Sequence, residues 1–593
     1  MEEKKGLRRH TLLTQETITK ILTKEVAHDP DYSFYYIDPE KTVVQFTNII
    51  FNSGFIINKI AVSEIFFENC TVSAINVNNV NNIGIYFYYT DITTEISIQK
   101  SALKSLRIDE KSSLKNISLD SSKLDLFIKD STIGKINTWF KTTLEYFLIN
   151  TSRIGEITIN QDSSITTLTA DSSVNIEEIN VDNAFIKNIA LTNNSTINAF
   201  RATKCISSGA INIYNSEIKQ WHIQKSQLGY ISIINSYIIQ SGLIESKIFS
   251  YTINNSQNDR LYINKSFIQE TIISTNKRLN LVITNSTAFN FIIFSCLLNK
   301  DSYITISACL FNTLALRAIN NAGILVFNEI NTIRTESLFT TDNNTLLVDD
   351  NNTFVFSEKT QDPTIKIIVS DLGKAQFIGC DFRKFDKFEY HNSKMLEVFV
   401  ADTEFPEREK ISHPNAEVTE TQKLEQQRLA LSQFKKIYEN RGDNIRATQA
   451  LAEEIETYRA QLKLEKPTTK KERWNNRTER LNLWLNRISN YHGNNWFRAA
   501  TVTILIDWLF FYLYSLSLGF RLGGDWNMFG KLFASSFDFL NPVHKTDFLV
   551  DRFDFTLDIG GLALFIDNIS RIIIAYLVYQ TIAAFRKFGK KSG

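Results

Sequence analysis

Three ionisable residues lie within the two most apolar stretches of the chain, where a charge needs a physical reason. Asp507 lies about a third of the way along residues 501–519 and is the one charge in that stretch. Asp567 and Arg571 stand four positions apart in the second stretch, residues 562–585. On a helix this spacing brings a carboxylate and a guanidinium onto one face, where they form an ion pair. A charge at the centre of a bilayer costs about 2.5–3.5 kcal/mol on insertion scales, so such residues usually face a bundle interior or water.

The three residues allow two interpretations. In the first, Asp507, Asp567 and Arg571 form a polar seam that lines a conductive path in an oligomer. In the second, they make a structural aspartate–arginine contact between two helices. Two helices cannot enclose a pore, so the first interpretation requires several copies of the chain. The residue types alone leave both interpretations open.

Both apolar stretches have the length of a membrane-spanning helix. About 20 apolar residues cross a hydrocarbon core of about 30 Å. Residues 501–519 satisfy this length directly, and residues 569–585 reach it when the helix is extended back to Leu562. The sequence therefore predicts a two-span membrane domain at residues 499–593.

The charges that flank the two spans predict their orientation. Residues 466–498 carry eight basic and two acidic residues, and the second span is followed by further basic residues, beginning with Arg586 and Lys587. The loop between the spans, residues 520–568, carries four basic and seven acidic residues. Because basic flanks stay in the cytoplasm, we expect both termini there and the loop outside.

A basic amphipathic segment, residues 470–498, precedes the first span. Its apolar residues are spaced for one helix face and include Trp474, Leu481, Trp484 and Ile488. Its arginines are Arg473, Arg477, Arg480 and Arg487. This pattern predicts a helix on the inner leaflet, and it also fits an ordinary packed helix.

The loop between the spans contains a shorter apolar segment at residues 526–540. It is too short to cross a bilayer, so we expect a re-entrant or interfacial element. The order of span, short apolar element and span is similar to that of two-span ion channels. The chain has no T-V-G-Y-G filter, so potassium selectivity is not implied.

Residues 416–466 have the composition of two helices. One stripe includes Leu424, Leu431 and Tyr438, and a second stripe runs from Leu451 to Leu462. Gly442 between them has the properties of a residue that ends a helix. We expect an antiparallel hairpin that resembles a tetratricopeptide unit and acts as a rigid spacer or a subunit contact.

Most of the preceding chain repeats with a period of five. The run consists of Ile213, Ile218, Ile223, Leu228, Ile233, Ile238, Leu243, Ile248, Ile253, Ile263, Ile268 and Ile273, with Asn258 as its one exception. A helix repeats about every 3.6 residues and a flat strand every second residue, so neither explains a period of five. The position two before each is often serine, as at Ser216, Ser226 and Ser236. Residues i and i−2 share one side of a strand, so both should face the interior of a β-solenoid.

This pattern resembles that of pentapeptide-repeat proteins. Residues 215–219 through 265–269 carry the family's central apolar residue and the small residue two before it. The resemblance implies a right-handed quadrilateral β-helix with coils of about twenty residues, over residues 41–405. Large residues at the small position, such as Trp221 and Tyr251, favour as an alternative a flatter coil of two unequal ten-residue halves. Elsewhere the five-residue spacing is interrupted by one or more extra residues, which predicts corners that bulge.

Several function classes lack support in the residues. The five cysteines form no C-x-x-C pair, the seven histidines are dispersed, and neither a phosphate-binding loop nor a G-x-S-x-G motif occurs. We therefore expect no enzyme, no cofactor and no metal, and we expect reduced thiols in the cytosol. Some pentapeptide-repeat proteins mimic DNA, which requires a strongly acidic surface. Residues 1–465 carry a net charge of only about −6, so we expect no nucleic-acid partner.

The expected fold class is mainly β. An N-terminal cap, residues 1–40, precedes a right-handed solenoid, and the helical hairpin, the basic helix and the two-helix membrane domain follow it. The expected function is a membrane-anchored, non-enzymatic effector in the inner membrane. It would form a channel-like homo-oligomer, with the solenoid as sensor or scaffold that binds a cytosolic protein. Bacterial stress or phage defence would suit this architecture by analogy. The alternative is a membrane-tethered adaptor that binds a cytosolic partner and conducts nothing.

Overall fold

The computed structural model is mainly β, with 46% of residues in strands, and it has a β-solenoid of about 17 turns followed by helices. It describes residues 14–26, 34–37, 40, 42–51, 53–160, 162–275, 277–342, 345–347, 349, 354–415, 417–493, 495–519, 526–553 and 559–589. The chain divides into two compact units, Met1–Phe388 with Ala401–Pro406, and Glu389–Val400 with Glu407–Gly593. Most of the expected N-terminal cap lies outside the described residues.

The strands follow in chain order. The first part of the array has β1 Phe34–Tyr36, β2 Val43–Thr47, β3 Ile50–Phe51, β4 Phe55–Ile57, β5 Glu64–Glu68, β6 Thr71–Asn78, β7 Gly84–Tyr88, β8 Asp91–Gln99, β9 Ser105–Asp109, β10 Ser113–Asp120, β11 Lys123–Lys129, β12 Thr132–Trp139, β13 Thr143–Asn150, β14 Arg153–Asn160, β15 Ser164–Asp171, β16 Asn175–Asp182, β17 Phe185–Leu191, β18 Thr196–Thr203 and β19 Ile206–Tyr214. The most regular part has β20 Glu217–Gln224, β21 Gln227–Ile234, β22 Tyr237–Ile244, β23 Lys247–Asn254, β24 Gln257–Asn264, β25 Phe267–Ser274, β26 Leu279–Thr284 and β27 Thr287–Phe294. The last part has β28 Leu297–Leu298, β29 Tyr303–Ser307, β30 Leu310–Arg317, β31 Asn320–Asn321, β32 Ile324–Asn328, β33 Asn331–Thr332, β34 Thr335–Phe339, β35 Thr341–Asp342, β36 Thr345–Leu346, β37 Phe356–Thr360, β38 Thr364–Ile368, β39 Gln376–Ile378, β40 Lys387–His391, β41 Phe399–Ala401 and β42 Ile411–Ser412.

Each coil of the regular part contains two strands of equal length, joined by short corners. β20 pairs in parallel with β22, and Ile218 lies opposite Ile238, so one coil separates these two residues. β21 pairs with β23 in the same way. The first corner residue is left-handed at every tenth position, from Asn215 to Lys265, with φ between 46° and 52°. Each coil in this part therefore consists of two ten-residue halves of equal length.

A bend inside each strand produces the period of five. In β20 the buried residues are Ile218, Trp221 and Ile223, and two successive exposed residues separate the first two. Strict alternation would bury every second residue. Two successive outward residues lie within each strand and two more lie at each corner, and a single outward residue separates the other neighbouring buried positions. The spacing from one buried residue to the next therefore alternates between three and two, which gives a repeat of five. Each of these coils thus carries four pairs of inward residues.

The slips in the sequence rhythm coincide with longer corners. Ile197 lies opposite Ile218, which is one position more than in the regular coils, and Ile154 lies opposite Ile176, which is two positions more. Two corners in this region have two successive left-handed residues instead of one, at 172–173 and at 193–194. Asparagine and serine suit these corners because their short polar side chains tolerate the left-handed conformation.

Serine ladders hold the corners of successive coils together. The backbone N–H of Ser216 donates to Ser236 Oγ at 3.2 Å, and Ser236 Oγ donates to the carbonyl of Ile234 at 2.7 Å. The opposite corner repeats the arrangement, for example from Ser226 N–H to Ser246 Oγ at 3.2 Å. Each hydroxyl satisfies a buried backbone N–H that has left the strand ladder at the turn. This need explains why the small residue of the repeat is so often serine.

All five cysteines stand at positions of these same ladders. Each follows a left-handed corner residue and directs its Sγ to the carbonyl two residues earlier, as Cys309 does to Ser307 at 3.1 Å. Burial raises the pKa of Cys70 and Cys205 to about 12 and that of Cys296, Cys309 and Cys380 to about 11. They are therefore buried protonated thiols in structural positions.

The solenoid contains an excursion that the sequence rhythm does not predict. β30 pairs with both β33 and β38, so one strand of the stack is interrupted by the residues between these two. The described part of this excursion includes the antiparallel pair β34–β37. Phe339, Leu346 and Phe354 of the excursion form an apolar cluster that packs on Tyr230 and Phe249 of the coils.

The first helix, α1 (Gln15–Leu22), covers the start of the array. Thr14 caps it by accepting from the backbone N–H of Thr17. The amide of Gln15 bonds both backbone groups of Ile56, each at 2.7 Å. The backbone groups of an end coil have no neighbouring coil to pair with, and these two bonds satisfy the N–H and C=O groups of Ile56.

The second unit is mainly helical. Its helices are α2 Glu420–Arg441, α3 Asn444–Leu464, α4 Lys470–Asn490, α5 Trp496–Ser517, α6 Trp526–Phe539, α7 Phe548–Phe553 and α8 Gly561–Gly589. Capping boxes at Thr419 and Thr469 start α2 and α4, and Gly442, at φ 81°, ends α2. Asp443 then caps α3, so helices α2 and α3 form a hairpin with a tight turn.

Candidate functional site

Two helices of the second unit are long and apolar enough to cross a membrane. They are α5 and the Gly561–Arg586 part of α8. Only 33% and 28% of their most apolar windows are buried. A core helix of a soluble protein would be mostly buried, whereas these two helices leave most of their apolar surface exposed.

Small and polar side chains form the contact between α5 and α8. The Thr503 hydroxyl lies 3.0 Å from the Thr581 hydroxyl and donates to the carbonyl of Ala499 at 2.8 Å. Ala499, Ala584 and Ser570 are buried. Small residues let helices approach closely where apolar surroundings provide no hydrophobic drive for association.

Asp507 lies on the buried face of α5, one turn after Thr503. Its side chain is only 2% exposed, and its Oδ1 has no hydrogen-bond partner among the described residues. The described residues also contain no ion pair to Asp507. The described chain therefore does not form the Asp507–Arg571 pair that the sequence left open. A buried carboxyl group without a partner is costly and marks a position that packing alone does not explain.

Asp567, in contrast, has a complete set of partners. Its Oδ2 lies 2.9 Å from the Arg571 guanidinium, one turn along α8. Its Oδ1 lies 2.7 Å from Nε2 of His544, which belongs to the segment between α6 and α7. Arg571 also donates to the Thr546 hydroxyl at 3.1 Å. The carboxylate of Asp567 therefore fixes this segment to α8.

The second ring nitrogen of His544 also faces an acceptor. Nδ1 lies 2.7 Å from the carbonyl oxygen of Asn541. Tyr514 of α5 donates to the carbonyl of Thr546, so α5 contacts the same segment.

The short apolar segment of the loop forms helix α6. A 14-residue helix is about 21 Å long, which is less than the hydrocarbon thickness. Leu532 and Phe539 of α6 pack with Phe511 and Tyr514 of α5 in one apolar cluster. Helix α6 therefore lies against one end of the α5–α8 pair.

Helix α4 presents apolar side chains without a partner in the described chain. Trp474 is 68% exposed, and Leu481, Trp484 and Ile488 are exposed on the same face. Arg473, Arg477 and Arg480 are exposed beside them, and Arg586 is exposed on α8. The Lys587 side chain lies outside the described residues. Such a helix has the properties of an interfacial element.

Glu456 of α3 connects the hairpin to the start of the spans. Its Oε1 lies 2.9 Å from Nε2 of His492, in the turn between α4 and α5, and 3.4 Å from Arg487 of α4. Arg459 pairs with its second oxygen at 2.8 Å. Burial would raise the pKa of Glu456, but the bonds from His492 and Arg459 outweigh it and lower that pKa. Burial lowers the pKa of His492 despite this carboxylate, so burial favours the neutral ring.

The eight predicted core residues of the regular coils all lie inside the solenoid. Each is at most 2% exposed; they are Ile218, Ile223, Leu228, Ile233, Ile238, Leu243, Ile248 and Ile253. No group of three or more metal-ligating side chains occurs in the described part of the chain.

Comparisons with protein-family models, with curated proteins and with solved structures find no match. The resemblance to pentapeptide-repeat proteins therefore rests on the period of five and on its buried positions.

Sequence reasoning missed the partners that lie far along the chain. His544 and Glu456 each belong to a contact between distant elements, with separations of 23 and 36 residues. His544 follows an Asn-Pro turn at 541–542, and such a turn beside an apolar helix was the available signal.

Proposed function

We propose that this protein is a membrane-anchored, non-enzymatic effector whose two-span units assemble into a channel-like oligomer. The observation that carries the proposal is Asp507, a buried carboxyl group without a hydrogen-bond partner at Oδ1 among the described residues, on a helix apolar enough to span. Its desolvation is relieved if the helix pair opens toward water or toward a second copy. Ionisable residues in spans usually belong to such paths.

The proposed orientation follows the charge asymmetry. Both termini are cytoplasmic, the acidic loop is outside, and the protein resides in the inner membrane of a bacterial cell. The exposed arginines and tryptophans of α4 support contact with the inner leaflet. A cysteine-accessibility scan tests this: Ser592→Cys, beyond the described residues, is expected to react only from the cytoplasmic side. Reaction only from the outside would reverse the orientation.

The solenoid is the proposed sensor or assembly scaffold, and a cytosolic protein is its proposed partner. Its kinship with right-handed pentapeptide-repeat helices is supported by the burial of both repeat positions, such as Ser216 and Ile218. A role in stress or phage defence is proposed only by analogy with membrane effectors of similar architecture.

Current recordings from purified full-length protein in planar bilayers test conduction. Wild-type protein is expected to conduct, and Asp507→Asn, which keeps the shape and removes the charge, is expected to lower the conductance or change the ion preference. Thr501→Val on the exposed face of α5 is the matched control and should leave the current unchanged. Equal currents from wild type and Asp507→Asn would remove Asp507 from the path.

A membrane-tethered adaptor is the second candidate. Asp567 and Arg571 favour it, because their partners lie within one chain and hold the loop rather than face water. Absence of current from wild type in the same recordings, with full cellular activity of Asp507→Asn, would make the adaptor the better proposal.

A further inference from the structure

An apolar cavity of about 300 Å³ lies between α5 and α6. Its walls include Trp508, Phe511 and Ser515 of α5, with Leu532, Phe533 and Ser536 of α6. An apolar cavity of about 150 Å³ already binds benzene, and small-molecule sites begin at about 300 Å³. The space is therefore large enough for part of a ligand.

The cavity contains one buried polar group without a partner among the described residues. The side chain of Ser515 is buried, and its Oγ has no hydrogen-bond partner there. The other serine in the wall, Ser536, donates to the carbonyl of Phe533 at 2.7 Å within its own helix. Ser515 can therefore donate to an acceptor that enters the cavity.

The mouth of the cavity continues into the exposed apolar surface of α5. Its aromatic rim residues are between 42% and 47% exposed; they are Trp508, Tyr512, Phe529 and Phe533. Leu505, Leu509 and Leu516 extend the same exposed apolar surface along the helix. If α5 spans a bilayer, a molecule enters this cavity from hydrocarbon.

The position of Ser515 along α5 determines how such a molecule is oriented. Ser515 lies two positions before the loop-side end of the helix at Ser517, and Trp508 lies seven positions deeper, about 10 Å along the axis. A polar acceptor at the membrane interface and an apolar chain pointing inward match this order. A phospholipid presents its ester carbonyl at that level and its acyl chain below it.

We propose that this cavity binds one acyl chain of a phospholipid from the leaflet on the loop side, with an ester carbonyl accepting from Ser515 Oγ. The proposal rests on the proposed membrane location of α5 and not on conduction. Bound lipid would fill the gap between α5 and α6 and hold α6 against the span.

Photolabelling of full-length protein in nanodiscs tests the site. The probe is phosphatidylglycerol with a diazirine in its acyl chain, and mass spectrometry locates the adducts. We expect label at Trp508, Leu532 and Phe533 in wild-type protein. Ser515→Leu and Ser536→Leu fill the cavity from its two walls and should lose most of this label, whereas Leu505→Phe outside the cavity should retain it.

The exposed faces of the spans separate failure of the site from failure of the membrane location. Label at Leu505 and Ile572 without label at cavity residues would overturn the lipid site and leave the span assignment intact. No label on either helix would overturn both. Label at the cavity residues that survives both filling variants would overturn the proposal in favour of lipid on the surface of the helices. Loss of label in a filling variant only because its oligomeric state changes would overturn it in favour of a second copy of the chain. If diazirine palmitate labels the cavity residues and the phospholipid probe does not, the ligand is a free fatty acid and not a phospholipid.

Discussion

His544 and Asp567 join two parts of the membrane-like domain that are 23 residues apart. The imidazole Nε2 lies 2.7 Å from the carboxylate, and both side chains are buried. The contact holds the segment between α6 and α7 on α8, where Arg571 also pairs with the Asp567 carboxylate at 2.9 Å. The segment is therefore held by this carboxylate and by the bond from Tyr514 to the Thr546 carbonyl.

Asp567→Asn should destabilise this domain by about 1.5–3 kcal/mol, because it removes the buried carboxylate that accepts from Arg571, whose side chain is 27% exposed. Thermal unfolding in detergent measures the effect. Asp551→Asn, an exposed carboxylate on the neighbouring helix α7, is the matched control and should change stability by less than about 0.5 kcal/mol. Equal melting temperatures for the two variants would show that the contact does not hold the segment.

Ile238 and Gln240 test the register of the solenoid. Ile238 is fully buried and Gln240, two positions later, is exposed. Ile238→Asp places an unpaired charge in the core and should cost several kcal/mol, about 3–5 by analogy with buried charges that lose a partner. Gln240→Asp should be nearly silent in the same thermal melt. Similar losses from both would contradict the inward position of Ile238.

Ser236 tests the corner ladder. Ser236→Ala removes the acceptor for the Ser216 N–H and should destabilise the solenoid by about 1–3 kcal/mol, the cost of an unsatisfied buried donor. Ser236→Cys should lose less, because cysteine already occupies ladder positions such as Cys205 and Cys296. Urea unfolding measures both. The order of the two losses is the informative result, and a smaller loss for alanine would contradict the ladder.

The repeat shows how much of the fold could be predicted and why. Ile218 and its companions are predictable because every coil imposes the same burial, and the signal accumulates over many copies. The excursion around Phe339 is a single event with no repeat to average, and its packing on Phe249 is visible only in three dimensions. The sequence rhythm also left the coil shape open, since four short sides and two bent strands produce the same period.

Some contacts of the candidate site can likewise be predicted from the sequence, and others cannot. The spacing of Asp567 and Arg571 predicts their contact because one helix turn joins them. The contact between His544 and Asp567 forms only because the loop that holds His544 and Asn541 folds back onto α8. The sequence spacing of these residues does not predict it. Asp507 is the opposite case: its position in an apolar stretch is visible in the sequence, but the lack of a partner among the described residues is visible only when the helices are packed.

The last prediction concerns the pH dependence of the Glu456–His492 junction. Burial lowers the pKa of His492 below its ordinary value of 6.5, so the folded protein favours the neutral ring. The unfolded chain then binds more protons in this range, and stability should be fully present above about pH 6.5 and decline as the pH falls below it. The pKa of Glu456 is also lowered, from 4.5, so its own contribution is lost only in more acidic solution.

His492→Gln keeps an N–H donor for Glu456 and removes the titration, so its stability should depend less on pH between about 5 and 7. Thermal melts of both proteins at several pH values measure this difference. The half-buried histidine His391, whose pKa burial also lowers, contributes equally to both and cancels in the comparison. Parallel pH profiles would show that protonation of His492 is not coupled to folding. A variant that is less stable at every pH but has a flatter profile would support the coupling, because the lost contact and the lost titration are separate effects.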